Sequence, residues 1–261
     1  MRALTIATCV TVATATAAAD EAPPPEARPL PIELAGWRFD IQPYAYVPLQ
    51  VTGHVTVRDR EVPIDITLAD IVDHLSFAAM LHAEAWKGRL GLILDTVYTR
   101  TGADGTLPRG EPFDVTSNAV MVDAHVGFAV GSWRLRGPSR PAALSIELDL
   151  GGRLFWNDAD LDLGPLHLSK GDTSGLMVVG ARIPVRLSDG WLVFASSNLG
   201  FPDIQWMVTG GGELDLSRTW ALRLAYRATG IDRDGKDPGL DVISHGPYLG
   251  VGIRFGAGPV F

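Results

Sequence analysis

The chain ends in HGPYLGVGIRFGAGPVF, His245 to Phe261. From Tyr248 to Phe255, the apolar Leu249, Val251, Ile253 and Phe255 alternate with Gly250, Gly252 and Arg254. A period of two puts the apolar side chains on one face of a strand and the small or polar ones on the other. A strand of this kind, ending on an aromatic residue, reads as the closing strand of a membrane barrel. In hydrocarbon an open sheet edge leaves N–H and C=O groups unpaired at a cost no fold meets, so first and last strands must pair. Pro259 cannot donate to a ladder, which makes the residues after Phe255 a short tail.

The same alternation recurs upstream in WRFDI (37–41), VTGHVTV (51–57), VPIDITL (62–68), ALSIELDLGGRLFW (143–156) and TWALRLAYRA (219–228). It predicts strands at 36–48, 50–58, 61–69, 76–87, 89–101, 114–131, 142–157, 173–188, 190–200, 203–216, 219–230 and 240–255. The turns RDRE, KGR, SDG and SRT are short. The connections at DIVDHL, 102–113, 158–172 and 231–239 are longer. Transmembrane barrels show this asymmetry, with short turns on the periplasmic side and long loops outside. The predicted fold is therefore all-β, a transmembrane antiparallel up-and-down barrel. Twelve strands is the reading taken and ten is the alternative, with 50–58 and 61–69 as an external hairpin. Those two strands are near or below the roughly nine to eleven residues needed to span, and Pro63 removes a ladder donor.

A soluble barrel also alternates, but with its polar face outward. Here one face is nearly all aliphatic and aromatic, and Lys is scarce. The opposite face carries the candidate lumen residues Glu84, Asp123, His125, Glu147, Asp149, Arg153, Arg182, Arg186, Glu213, Arg223, Arg227 and Arg254. Trp37, Trp86, Trp133, Trp191 and Trp220 fall at the predicted periplasmic strand ends, and Trp156 and Trp206 toward the other ends. Indole settles at headgroup level, so these seven predict an aromatic girdle. Tyr248, Leu249, Val251, Ile253 and Phe255 mark the closing strand.

The first residues, MRALTIATCVTVATATAAAD, combine Arg2, a mildly apolar stretch and Ala17-Ala18-Ala19 before Asp20. They read as a cleaved signal peptide over 1–19, followed by a Pro-rich disordered lead-in over 20–35 and the barrel over 36–261. The expected location is the bacterial outer membrane. Cys9, the single cysteine, lies in the signal, so the mature chain holds no disulfide, cysteine nucleophile or thiolate metal site. The net charge of −8 argues against nucleic acid as a partner.

ITLADIVDHLSFAAMLHAEAWKGRLGLILDTVYTRTG (66–102), with its Asp-Ile-Val-Asp-x-Leu segment, its Glu84…Lys87-Gly88-Arg89 hairpin and the terminal GPYLGVGIRF, resembles a family of small bacterial outer-membrane β-barrel, porin-like proteins. The resemblance implies fold and location. No catalytic signature travels with it, and it carries little about transport.

The functional expectation is a narrow, porin-like channel for small polar or charged solutes. Acids on the fourth to seventh strands would face arginines on the eighth to twelfth, a field able to filter by charge. The alternatives are a sealed, ion-paired structural or interaction barrel and a barrel-embedded lipid hydrolase or acyltransferase. The latter would use Asp123 with His125, or His82 with Glu84, and Ser145 or Ser117. No enzyme, cofactor or metal is expected. His54, His74, His82, His125, His167 and His245 lack ligand spacing, and Asp158, Asp160, Asp162, Asp172, Asp232, Asp234 and Asp237 read as solvated loop charge. The expected partners are outer-membrane lipid, the barrel-assembly machinery and small polar solutes, for a monomeric chain.

Overall fold

The computed structural model describes residues 30–57, 60–106, 112–135, 142–163, 166–233 and 239–256. The predicted signal, residues 20–29 of the lead-in, Asp234, Asp237 and the tail after Gly256 lie outside them. Twelve strands form, β1 (Trp37–Tyr46), β2 (Gln50–Val57), β3 (Arg60–Thr67), β4 (Leu75–Lys87), β5 (Leu90–Thr106), β6 (Pro112–Arg134), β7 (Ala143–Leu163), β8 (Leu166–Arg186), β9 (Trp191–Phe201), β10 (Ile204–Asp215), β11 (Trp220–Asp232) and β12 (Gly239–Gly256). One helix, α1 (Leu68–His74), lies between β3 and β4. Thr67 starts it through a capping box: its N–H donates to Asp70 Oδ2 at 2.8 Å, and its hydroxyl accepts from the Asp70 N–H at 3.4 Å. Among the described residues no helix is long and apolar enough to cross a membrane.

The wall closes with ten strands, not twelve. Around the cylinder the order is β1-β4-β5-β6-β7-β8-β9-β10-β11-β12, and β12 returns to β1 with Phe39 opposite Phe255 and Tyr46 opposite Tyr248. The closing strand thus completes the barrel. β1 pairs directly with β4, so β2 and β3 leave the wall. They form a flap that extends the upper part of β12, with Val51 opposite Ser244 and Val55 opposite Leu240. Val57 and Arg60, which flank the predicted RDRE turn, pair at the flap tip, at the end away from Trp37 and Gly256.

Register explains the exclusion. Tyr46 is hydrogen-bonded to Ser244 at 3.1 Å, which places Ser244 on the lumen face. Cross-strand partners share a face. Val51, Val55, Val62, Ile64 and Ile66 therefore lie on the lumen side of the flap, and Thr52 and Asp65 on the outer side. In a lipid-facing wall that polarity would be inverted.

Through the body of the barrel the outward positions are apolar and exposed, including Leu92, Val126, Leu150, Val179, Val208, Leu224 and Val251. Trp37, Trp133, Trp191 and Trp220 crown one end. Trp156, Trp206, Phe77 and Tyr226 crown the other. Above that second belt the polarity reverses while the alternation continues. On β7 the outward residues become Asp158, Asp160 and Asp162, and Leu161 turns inward. A wall that meets lipid below the belt and water above it requires this change. The described parts of 102–113 and 158–172, expected as loops, are strand, and β5–β8 project beyond the belt.

The lead-in also departs from expectation in its last residues. Pro31–Glu33 form a 3-10 turn, Leu30 is buried, and Ile32 packs near Trp86.

On the projecting wall His167 bonds Asp162 at 2.6 Å. That hydrogen bond, with the carboxylate charge, raises the imidazole pKa above its ordinary 6.5. The pair is present below that value and is lost as the pH rises through the raised one. Asp162→Asn is expected to lower the His167 midpoint in an NMR titration. An unchanged midpoint would place the two side chains apart in solution.

The candidate functional site, an ion-paired bore

All twelve predicted lumen residues point inward, because each shares the parity of its strand's buried face. They are ion-paired, with neighbours and across the bore, rather than standing as two free charged walls. Arg153 clamps Asp123 through Nε and one terminal nitrogen at 2.7 and 2.6 Å. Arg182 donates from Nε to Glu147 at 2.7 Å and from a terminal nitrogen to Glu84 Oε2 at 2.8 Å. Near the end that carries Trp37, Arg254 contacts Asp40 at 3.0 Å together with Glu213 and Asp215. Arg186 reaches Asp215 at 2.7 Å, and Arg223 donates to Glu213 at 3.0 Å. Arginine and acid thus interleave around the ring, because charges this deeply desolvated persist only when paired.

Two ion contacts cross the bore. Glu84 is on β4 and Arg182 on β8, four strands apart in a ring of ten. Arg227 on β11 lies 3.9 Å from Asp95 on β5, again four strands away. Arg227 also donates to Tyr44 at 3.3 Å and Thr209 at 3.2 Å, and lies over the rings of Tyr44, Tyr46 and Tyr248. Tyr44 donates to Asp95 at 2.6 Å and stacks on Tyr248 with centroids 4.4 Å apart. Around these contacts lies a cavity of about 120 Å³, lined by both crossings and by Asp40, Glu213 and Arg254. His125 Nε2 and Asn198 Oδ1 have no protein partner, and both residues line this cavity.

Trp86 departs from the predicted girdle. It is 1 % exposed, lies inside the barrel and donates to Glu84 Oε2 at 2.7 Å. Gly91 and Gly127, which have no Cβ, leave room for its ring. Parity could have shown this, since residues 84 and 86 share a face. Asp95 was missed as well. The signal was its place beside Ile93 on the face opposite Leu92 and Leu94.

The candidate catalytic pairings rearrange. Asp123 is held by Arg153, and His125 Nδ1 instead bonds Asp149. His82 bridges Glu84 at 2.7 Å and Asp95 at 3.1 Å. Ser145 bonds Ser132, and Ser117 bonds Asn157, so neither serine contacts a histidine.

No family model matches the chain. No curated protein matches it. Solved structures do. The translocator domain of the autotransporter NalP from Neisseria meningitidis is 15% identical, covers 85% of this chain and 89% of its own, and gives a TM-score of 0.40. The attachment invasion locus protein Ail of Yersinia pestis, in complex with the heparin analogue sucrose octasulfate, is 13% identical over 84% of this chain and 98% of its own, with a TM-score of 0.36. The outer membrane protease OmpT from Escherichia coli is 8% identical over 85% and 97%, with a TM-score of 0.41. These are distant likenesses of overall form. The closed ten-stranded wall, the apolar band between two aromatic belts and the ion-paired interior stand independently of them. The architecture is that of an outer-membrane β-barrel.

Proposed function

We propose that this protein is a monomeric barrel of the bacterial outer membrane, exported by a cleaved signal peptide, whose bore is closed and whose work is done at its external face. The observation that carries this reading is the pair of contacts across the bore, Arg182 with Glu84 and Arg227 with Asp95. Two ion-paired levels across the bore favour a closed interior over a continuous solute path. The projecting wall β5–β8 and the flap β2–β3 lie at the end opposite the turns KGR, SDG and SRT, which is the external end in such barrels. The outward Leu249, Val251, Ile253 and Phe255 of β12 suit recognition by the assembly machinery. No catalytic step belongs to this reading, because the interior histidines are bound by carboxylates rather than poised beside a nucleophile.

The test is single-channel recording of the refolded full chain in a planar bilayer, after heat-modifiable gel mobility has shown that it is folded. A silent membrane is expected. Discrete steps would return the narrow, charge-filtering channel to first place.

A further inference from the structure

The two aromatic belts are flanked by opposite charge. At the end crowned by Trp37 and Trp220, the hairpins β4–β5 and β10–β11 expose Lys87, Arg89 and Arg218. Lys87 pairs in register with Trp37, so both point outward, and its ammonium lies 6.0 Å from the indole centre. Arg89 uses one terminal nitrogen to hold two carbonyls of β6, Ala129 at 3.1 Å and Val130 at 2.8 Å. Those bonds fix the guanidinium at the rim and leave its Nε and second terminal nitrogen for another acceptor. Arg218 lies on a turn held by Ser217 Oγ, which accepts from the Thr219 and Trp220 N–H at 3.2 and 3.0 Å. Among the described residues no carboxylate pairs with any of these three cations.

Acids exposed at the same end do not neutralise them. Glu33 pairs with Arg134 at 3.2 Å, and Asp189 lies on a different hairpin, β8–β9. At the opposite belt the sign changes. Above Trp156 the outward positions of β7 are Asp158, Asp160 and Asp162. Arg100 on β5 shares that outer face, since Asn118 lies opposite both Arg100 and Asp158. A cation there stands on a wall that already carries carboxylates. A cation beside Trp37 or Trp220 faces headgroups, where phosphate is the acceptor at hand.

We propose that the rim formed by Lys87, Arg89 and Arg218 binds the headgroups of anionic phospholipids in the leaflet beside the KGR and SRT turns. The inference rests on the reading that the apolar band meets lipid with those turns periplasmic, and it adds which lipid that leaflet presents. A phosphate supplies the acceptor that the remaining Arg89 donors lack. A net negative headgroup is favoured over a zwitterionic one, whose own ammonium opposes the rim. Phospholipid fits better than free phosphate because the cations stand beside the outward Leu90 and Leu216, 60 % and 62 % exposed, which offer apolar ground to an acyl chain.

The experiment is electron spin resonance of the full chain refolded into phosphatidylcholine vesicles, with folding checked by heat-modifiable mobility. The probes are phosphatidylglycerol and phosphatidylcholine, each spin-labelled on an acyl chain. Lipid at the barrel wall gives a motionally restricted component, and its size for the two probes gives their relative association. At low salt phosphatidylglycerol is expected to associate about fivefold more strongly, the ratio for roughly 1 kcal/mol of attraction. Sodium chloride at about 1 M, where the Debye length is about 3 Å, should bring the ratio close to one. Lys87→Gln combined with Arg218→Gln should lower it at least about twofold. Arg100→Gln, at the other belt, should leave it unchanged. Arg89 is kept, because its carbonyl bonds hold the hairpin. A wild-type ratio near one, a ratio unmoved by the double variant, or an equal fall with Arg100→Gln would overturn the proposal. So would a larger fall in inorganic phosphate than in chloride at the same ionic strength, since the rim would then be a site for the free anion. Absence of any restricted component is a separate result, which would sink the lipid-facing band itself and the rim's role with it.

Discussion

Glu84→Ala is expected to destabilise the folded barrel by about 3–5 kcal/mol, the usual cost of removing one partner from a buried ion pair. Glu84 is the hub of the crossing. Its two oxygens accept from Arg182, from the Trp86 indole at 2.7 Å and from His82 at 2.7 Å. Alanine leaves the Trp86 N–H without its acceptor, deprives His82 of one of its two carboxylates, and leaves Arg182 sharing Glu147 alone. Glu84→Gln keeps the shape and an acceptor while removing the charge, so it should cost less. Urea titration of the refolded protein in vesicles, followed by heat-modifiable mobility, measures both variants. A loss below about 1 kcal/mol, the range of solvent-screened pairs, would mean that water already penetrates the crossing and that the bore is not closed there.

Leu224→Arg is expected to cost about 2–4 kcal/mol, the penalty of a charge on the lipid face near the bilayer midplane. Leu224 is 61 % exposed and lies on β11 between the belts marked by Trp220 and Tyr226. The matched control is Asp160→Arg, on the outward face of β7 above the belt, which should leave stability nearly unchanged. The contrast tests the polarity reversal itself. If both substitutions were neutral, the apolar band would not face hydrocarbon. If both were costly, the belt would lie higher than Trp156.

Several features were legible before any coordinates. The alternation located every strand, and parity placed the twelve named lumen residues, because side chains on a strand must alternate between faces. Boundaries were read short where polarity reversed. Asp158, Asp160 and Asp162 looked like a loop because an acidic outer face was not expected in a strand that is lipid-facing two residues earlier. The same cause hid the upper part of β8, now Leu166–Arg186, whose first residues carry His167, Lys170 and Asp172.

By itself the sequence determined an all-β chain, an apolar face suited to lipid, a charged opposite face and a strand fit to close the wall. These follow from local periodicity, which needs no knowledge of neighbours. Tertiary structure alone decided that ten strands close rather than twelve, since that depends on β1 finding β4 and β12 at once. It also decided which arginine meets which acid. Parity shows that Arg182 and Glu84 face inward, but only the curvature of a ten-stranded wall brings β8 and β4 within hydrogen-bonding reach across the bore.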